Sequence, residues 1–116
     1  MRAPTDNETW VIETGDTIIR KKARGGIECL TLWETLVYCL WVADYGMRNA
    51  GDLDAAADVY AEFHSNARRI AEVLSLRLTH DAFSLPQSDL EREYFDRLES
   101  ICNEIRAAER RASSGV

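Results

Sequence analysis

Three kinds of residue in this chain have the chemistry to act on something: two histidines, three cysteines and a spaced set of carboxylates. His64 stands beside Ser65, and His80 stands beside Asp81. Neither histidine has a second histidine or a cysteine at ligand spacing, so no zinc site is expected. A Ser–His–acid triad needs its members to converge from distant positions, and no nucleophile elbow marks the serine of one. Gly25-Gly26 lacks the lysine and the spacing of a phosphate loop. Cys29, Cys39 and Cys102 follow no metal spacing. Cys39 and Cys102 fall in apolar helical patterns, where a free thiol packs as a small hydrophobe. They read as reduced, and the chain as cytoplasmic. No enzyme activity, metal or cofactor is expected, because the usual acid–base and nucleophilic constellations are missing.

The remaining candidates are surface residues suited to recognition. Asp54, Asp58 and Glu62 recur at four-residue spacing, which on a helix makes one acidic row. Tyr38, Trp41 and Tyr45 follow Glu34 at helical spacing and form an aromatic stripe with polar tips, a surface suited to half-wet contacts. Either the N-terminal segment covers that stripe, or a protein partner or second copy of the chain does. Arg48, Asn49 and Asp52 lie in the turn after the stripe. They either satisfy backbone groups there or line a small-ligand site at Tyr45–Asp52.

The stretch that must position these groups runs from Thr31 to Asp52. Thr31 with Glu34 has capping-box spacing, and Gly46 is a plausible left-handed stop. Between them the chain is apolar on almost every side, so the helix has to be buried. Leu32, Leu36, Cys39, Leu40 and Ala43 make its core face. Upstream, Met1–Thr9 is polar and reads as loose. Thr17–Arg24 reads as a short helix ended by Gly25-Gly26, with a hairpin across Thr14-Gly15-Asp16 as the alternative.

Downstream, Leu53, Ala56, Ala57, Tyr60, Phe63, Ala67, Ile70, Ala71, Leu74 and Leu78 recur at threes and fours, the stripe of one long amphipathic helix. Residues 79–87 read as a connection closed by Pro86, with Phe83 and Leu85 tucked inward. Ser88 with Glu91 repeats the capping box, and Leu90, Tyr94, Leu98, Ile101, Ile105 and Ala108 define a last helix that should fray from Ala112 to Val116. The expectation is a single all-α domain. It is an antiparallel bundle of three main helices, with a short N-terminal helix or hairpin packed across it.

Charge narrows the partner. The 116 residues carry 20 acids against 14 bases, a net charge of −6. Residues 27–66 hold seven of those acids and a single base, Arg48. An acidic surface disfavours nucleic acid and favours basic partners. The Arg20–Arg24 cluster reads as a solvated helix end. No stretch has the order of a signal peptide, and the densest apolar run, Leu36–Ala43, is too short to span a membrane.

Leu30-Thr31-Leu32-Trp33-Glu34, leading into an apolar helix and then the Asn49-Ala50-Gly51 turn, resembles the small helical bacterial DNA-mimic-type domains. Ala50 stands where that family has a glycine, and Asp52-Leu53 stands where it has an aromatic pair. The resemblance spans Leu30 to Leu53. It implies an acidic all-α protein, often dimeric, that presents carboxylates in place of phosphates to a basic DNA-binding protein.

Overall fold

In the computed structural model the backbone is described for residues 6–114 and the side chains for residues 6–109. Within that range the chain is all-helical. The order is α1 (Asp6–Gly25), a single 3-10 turn (Ile27–Cys29), α2 (Leu32–Asn49), α3 (Asp54–Val59), α4 (Phe63–Val73), α5 (Arg77–Phe83) and α6 (Gln87–Ser114). Residues 1–5, 115 and 116, expected to be loose or frayed, lie outside the described residues.

Helix α2 is the buried centre. Its entry is the expected capping box: the Glu34 N–H donates to Thr31 Oγ1 at 3.1 Å, and the Thr31 N–H donates to a Glu34 carboxylate oxygen at 2.9 Å. Ten of its residues, from Leu36 to Met47, are buried. Leu32, expected on the core face, is 42% exposed, because it sits in the first turn before the neighbouring helices close over. The jacket is made by α1, α3, α4 and α6, all of which pack on α2.

The helix does not stop at Gly46. It runs to Asn49 and ends on Gly51, whose φ of +75° makes the left-handed cap while its N–H donates to Met47 O at 3.1 Å. Gly46 is buried within the helix for a different reason. A Cβ there would lie 2.8 Å from Asp52 O and 2.9 Å from Ala56 N, so the missing side chain lets α3 approach the α2 backbone.

The N-terminal segment is a full-length helix rather than a short helix or hairpin. Asp6–Thr9, expected to be loose, form its first turn, where Asp6 and Glu8 suit the helix dipole. Gly15, read as part of a turn, lies mid-helix against Trp41, whose indole occupies the space a Cβ would need. Val11 and Ile18 face the core from the same side. Gly26, at φ +81°, ends the helix as expected.

The long middle helix is instead three short ones. The apolar stripe is retained, with Leu53, Ala56, Phe63, Ala67, Ile70 and Ala71 all buried, but the backbone breaks twice. At Tyr60 it turns extended, at φ −153°. The Tyr60 ring then lies against Tyr38 at 5.3 Å, and its hydroxyl accepts from Asn66 Nδ2 at 2.6 Å. After α4 the chain reverses through a Schellman-type cap with Ser75 at φ +60°: Leu76 N donates to Ala71 O at 2.8 Å. Leu78, expected on the stripe, is consequently 47% exposed, while Phe83 is buried and Leu85 packs against the core. Residues 77–83, expected within a connection from residue 79, form α5.

Helix α6 spans the far side of the core. Ser88 lies inside it, and Glu91 is not spent on a capping box. Its carboxylate accepts from the Leu53 N–H at 2.7 Å, at the start of α3. Glu104 does the same for α5, accepting from the N–H groups of Leu78 (2.9 Å) and Thr79 (2.7 Å) and from the Thr79 hydroxyl (2.7 Å). Neither short helix has a side-chain cap from its own N-cap residue, and α6 supplies acceptors to the starts of both.

The two glycines of the α2 end should both resist alanine, for different reasons. Gly46→Ala forces backbone against backbone and is expected to destabilise by about 1–3 kcal/mol, the range for overpacking. Gly51→Ala has open space around the new methyl and should cost only the left-handed strain of about 1–2 kcal/mol. Urea unfolding of both variants checks this, and a neutral Gly46→Ala would refute the close approach of α2 and α3.

Candidate functional site

The residues singled out from the sequence do not form one site. Asp54, Asp58 and Glu62 are all exposed, but they are not a continuous helical row. Helix α3 ends at Val59, and Glu62 stands in the turn before α4. Asp54 Oδ1 also accepts from Gln87 Nε2 at 2.8 Å. Asp52 serves the backbone, its Oδ1 accepting from Ala55 N at 3.1 Å. Asn49 donates to Tyr45 O at 2.8 Å within its own helix.

The aromatic stripe does come together. Tyr38, Trp41 and Tyr45 stack in sequence along α2: Tyr38 to Trp41 at 6.4 Å with planes 8° apart, and Trp41 to Tyr45 at 5.7 Å with planes 19° apart. The stack begins in the core at Tyr38, passes the half-buried Trp41 under Gly15, and emerges at Tyr45, which is 42% exposed. Lys22 lies 5.3 Å above the Tyr38 ring, and the Tyr60 ring is tilted against it at 5.3 Å. Helix α1 thus covers the inner part of the stripe and leaves the outer part open. A groove of about 240 Å³ remains there, lined by Ile12, Asp16, Trp41, Asp44, Tyr45, Arg48 and Asn49.

Beneath the groove is a buried ionic network that sequence reasoning missed. Asp44 is only 4% exposed. Its Oδ1 accepts from the Tyr94 hydroxyl at 2.8 Å, and its Oδ2 from Arg48 Nε at 2.8 Å. Arg48 also reaches Glu8 of α1 at 3.3 Å, and its guanidinium lies 5.4 Å from the Phe95 ring centre on α6. The buried Asn7 extends the network by donating to Glu99 (2.9 Å) and Asn103 (3.1 Å) and accepting from Arg106 at 2.7 Å. These contacts tie the first turn of α1 to α2 and α6. The one sequence signal was Asp44 itself, a carboxylate in an otherwise oily stretch, which a buried helix tolerates only with partners.

Titration follows from burial. Desolvation, reinforced by the adjacent charge of Asp44, pushes the Tyr94 hydroxyl well above the usual tyrosine value. For Arg48 burial works the other way, but the hydrogen bonds and charges of Asp44 and Glu8 outweigh it and raise its pKa. Burial pushes the Cys39 and Cys102 thiols up to about 12. Cys29 is exposed, and all three cysteines are free thiols. Among the described residues, no group of histidines, cysteines and acids is arranged to hold a metal, and no helix is long and apolar enough to cross a membrane.

No protein-family model, curated protein or solved structure matches this chain. The reading of the groove therefore rests on its own chemistry.

Two outcomes check the buried groups. Above the ordinary tyrosine value the unfolded chain gives up the Tyr94 proton while the folded chain keeps it, so stability falls as pH rises through that region and is unaffected below it. Tyr94→Phe should flatten that part of the alkaline decline. It should also cost about 1.5–3 kcal/mol at pH 7, because Asp44 loses a buried donor. Urea titrations of both proteins from pH 7 to 11 measure this. Separately, a thiol reagent should modify Cys29 alone in the native protein and all three cysteines in denaturant; rapid native reaction of Cys39 or Cys102 would contradict their burial.

Proposed function

We propose that this protein is a non-enzymatic interaction module, and that its binding surface is the groove between α1 and α2. The observation that carries the reading is the set of side chains exposed there. Ile12 (46% exposed) and Tyr45 (42%) flank Trp41 and Arg48, and Phe95 (49%) lies under the Arg48 guanidinium. Tryptophan, tyrosine and arginine clustered in a concavity are the residue types that dominate protein interfaces. Large apolar side chains exposed together beside a groove mark interaction sites, whereas scattered ones are ordinary surface.

The charge around the groove favours a basic partner segment. Arg48 is matched by two carboxylates, Asp44 and Glu8. Asp16 adds a third, which makes no ion pair among the described residues. An incoming arginine or lysine would find an aromatic face at Tyr45 and a carboxylate at Asp16, the pairing that cation–π and charge-assisted contacts use. Mimicry of nucleic-acid charge is the narrower form of this reading. It draws on the exposed Asp54, Asp58 and Glu62, and it predicts capture of a DNA-binding protein that weakens with salt.

The second reading is a small-ligand or enzymatic site at Tyr45–Asp52. Its support is the groove volume alone, because Arg48, Asn49 and Asp52 already have internal partners.

A photocrosslinking side chain at Tyr45 tests the reading in the host cell, with the same group at Val73 on α4, outside the groove, as the reference. A discrete adduct from position 45, absent from position 73 and reduced by Asp16→Lys, is expected. An adduct of twice the chain mass would identify a second copy as the occupant. No adduct, or equal adducts from both positions, would overturn the proposal.

A further inference from the structure

A second concave region lies where α4 meets the α5–α6 connection. One depression of about 340 Å³ is lined by His64, Ser65, Arg68, Phe83, Ser84, Leu85 and Pro86. A second, of about 210 Å³, is lined by Ser65, Arg68, Arg69 and Glu72. They share Ser65 and Arg68, so Arg68 stands at the junction of one cleft with two lobes. The larger lobe has an apolar wall. Phe83 is buried, Leu85 and Pro86 continue the wall, and the His64 ring meets Phe83 edge-on at 6.0 Å and 74°.

The charge in this cleft runs against that of the chain. Acids outnumber bases 20 to 14, so a base has many partners to choose from. The Arg68 side chain makes no hydrogen bond or ion pair among the described residues, and Arg69 makes no ion pair. Glu72, one helical turn after Arg68, is 74% exposed and lies 3.9 Å from His80 instead. The two serine hydroxyls donate their protons to carbonyls, Ser65 to Glu62 O at 3.3 Å and Ser84 to His80 O at 2.6 Å. The donors left at the mouth are therefore the arginines and a ring N–H of His64. Arginine's planar fork matches the two oxygens of a carboxylate or the oxygens of a phosphate.

We infer that this cleft binds a small anion carried on an apolar body, a carboxylate or phosphate monoester, with the anionic head on Arg68 and the body against Phe83, Leu85 and Pro86. The site is independent of the α1–α2 groove and of the protein-binding reading.

Amide chemical shifts of the intact chain test this against four probes: phenyl phosphate, benzoate, inorganic phosphate and neutral phenol. Saturable shifts at residues 64–69 and 83–85 are expected with phenyl phosphate or benzoate, and whichever binds more tightly identifies the head group. Inorganic phosphate should bind at least tenfold more weakly than phenyl phosphate, because it lacks the body. Arg68→Ala should weaken the favoured anion about tenfold, while Arg77→Ala, outside the cleft, should leave it unchanged. Arg68 is exposed, so its variant should fold, and circular dichroism confirms that. The inference is overturned if neither aromatic anion gives saturable shifts, if phenol binds as tightly as the anions, or if folded Arg68→Ala binds unchanged.

Discussion

A helix that is oily on nearly every side cannot remain in water, and the fold is the consequence of hiding α2. Four helices are needed to do it, because a single partner covers only one stripe of a cylinder. The cost of this solution is Asp44, a carboxylate that the same burial withdraws from solvent. It is tolerated because Tyr94 and Arg48 meet its two oxygens at 2.8 Å each. Those partners come from α6 and α2, and Arg48 then draws Glu8 of α1 to the same point. The polar defect in the core thus fixes the position of the helices that pack around it. A buried ion pair adds little net stability over apolar side chains of similar volume, but removing one partner of it is strongly destabilising.

Helix α6 performs a complementary task for the short helices. Helices as short as α3 and α5 are marginal by themselves, since few of their N–H groups find partners within the helix. Glu91 and Glu104 reach across from α6 and accept those N–H groups. One long helix with two outward carboxylates therefore holds two short ones in place. Trp33 makes the reciprocal contact, its indole N–H donating to Ile105 O at 2.9 Å, so α2 and α6 are joined at both ends.

The helical class and the start of α2 were legible because they depend on local chemistry: apolar periodicity, and a threonine and glutamate three apart. The breaks in the middle of the chain were not. Tyr60 fits the apolar stripe and gives no stop signal; it leaves the helix to lie on Tyr38, a contact made across 22 positions of sequence. Ser75 takes a left-handed conformation without being glycine or asparagine, and the Leu76–Ala71 hydrogen bond holds it there. Glycines misled in the opposite sense. Gly15 and Gly46 read as turns, yet both are points of close approach, to Trp41 and to α3. The aromatic stripe was visible in the sequence. That its outer end opens into a groove depends on where α1 crosses it, which only the tertiary arrangement decides.

The count of 20 acids overstates how many carboxylates are free to meet a partner. Several carboxylates are occupied within the fold: Asp44 and Glu8 with Arg48, Glu34 with Lys21 at 2.8 Å, Asp52 at the start of α3, and Glu91 and Glu104 as caps. For Glu34, burial opposes the charge, yet the Lys21 and Thr31 donors prevail and hold its carboxyl below the usual value. A carboxylate already holding two donors has little left to offer a ligand. In the proposed reading, a basic partner would then meet acids outside these networks, such as Asp16, and the apolar and aromatic groups beside them. Arg68 is outside these networks as well: it makes no ion pair among the described residues, and it borders both depressions beside α4.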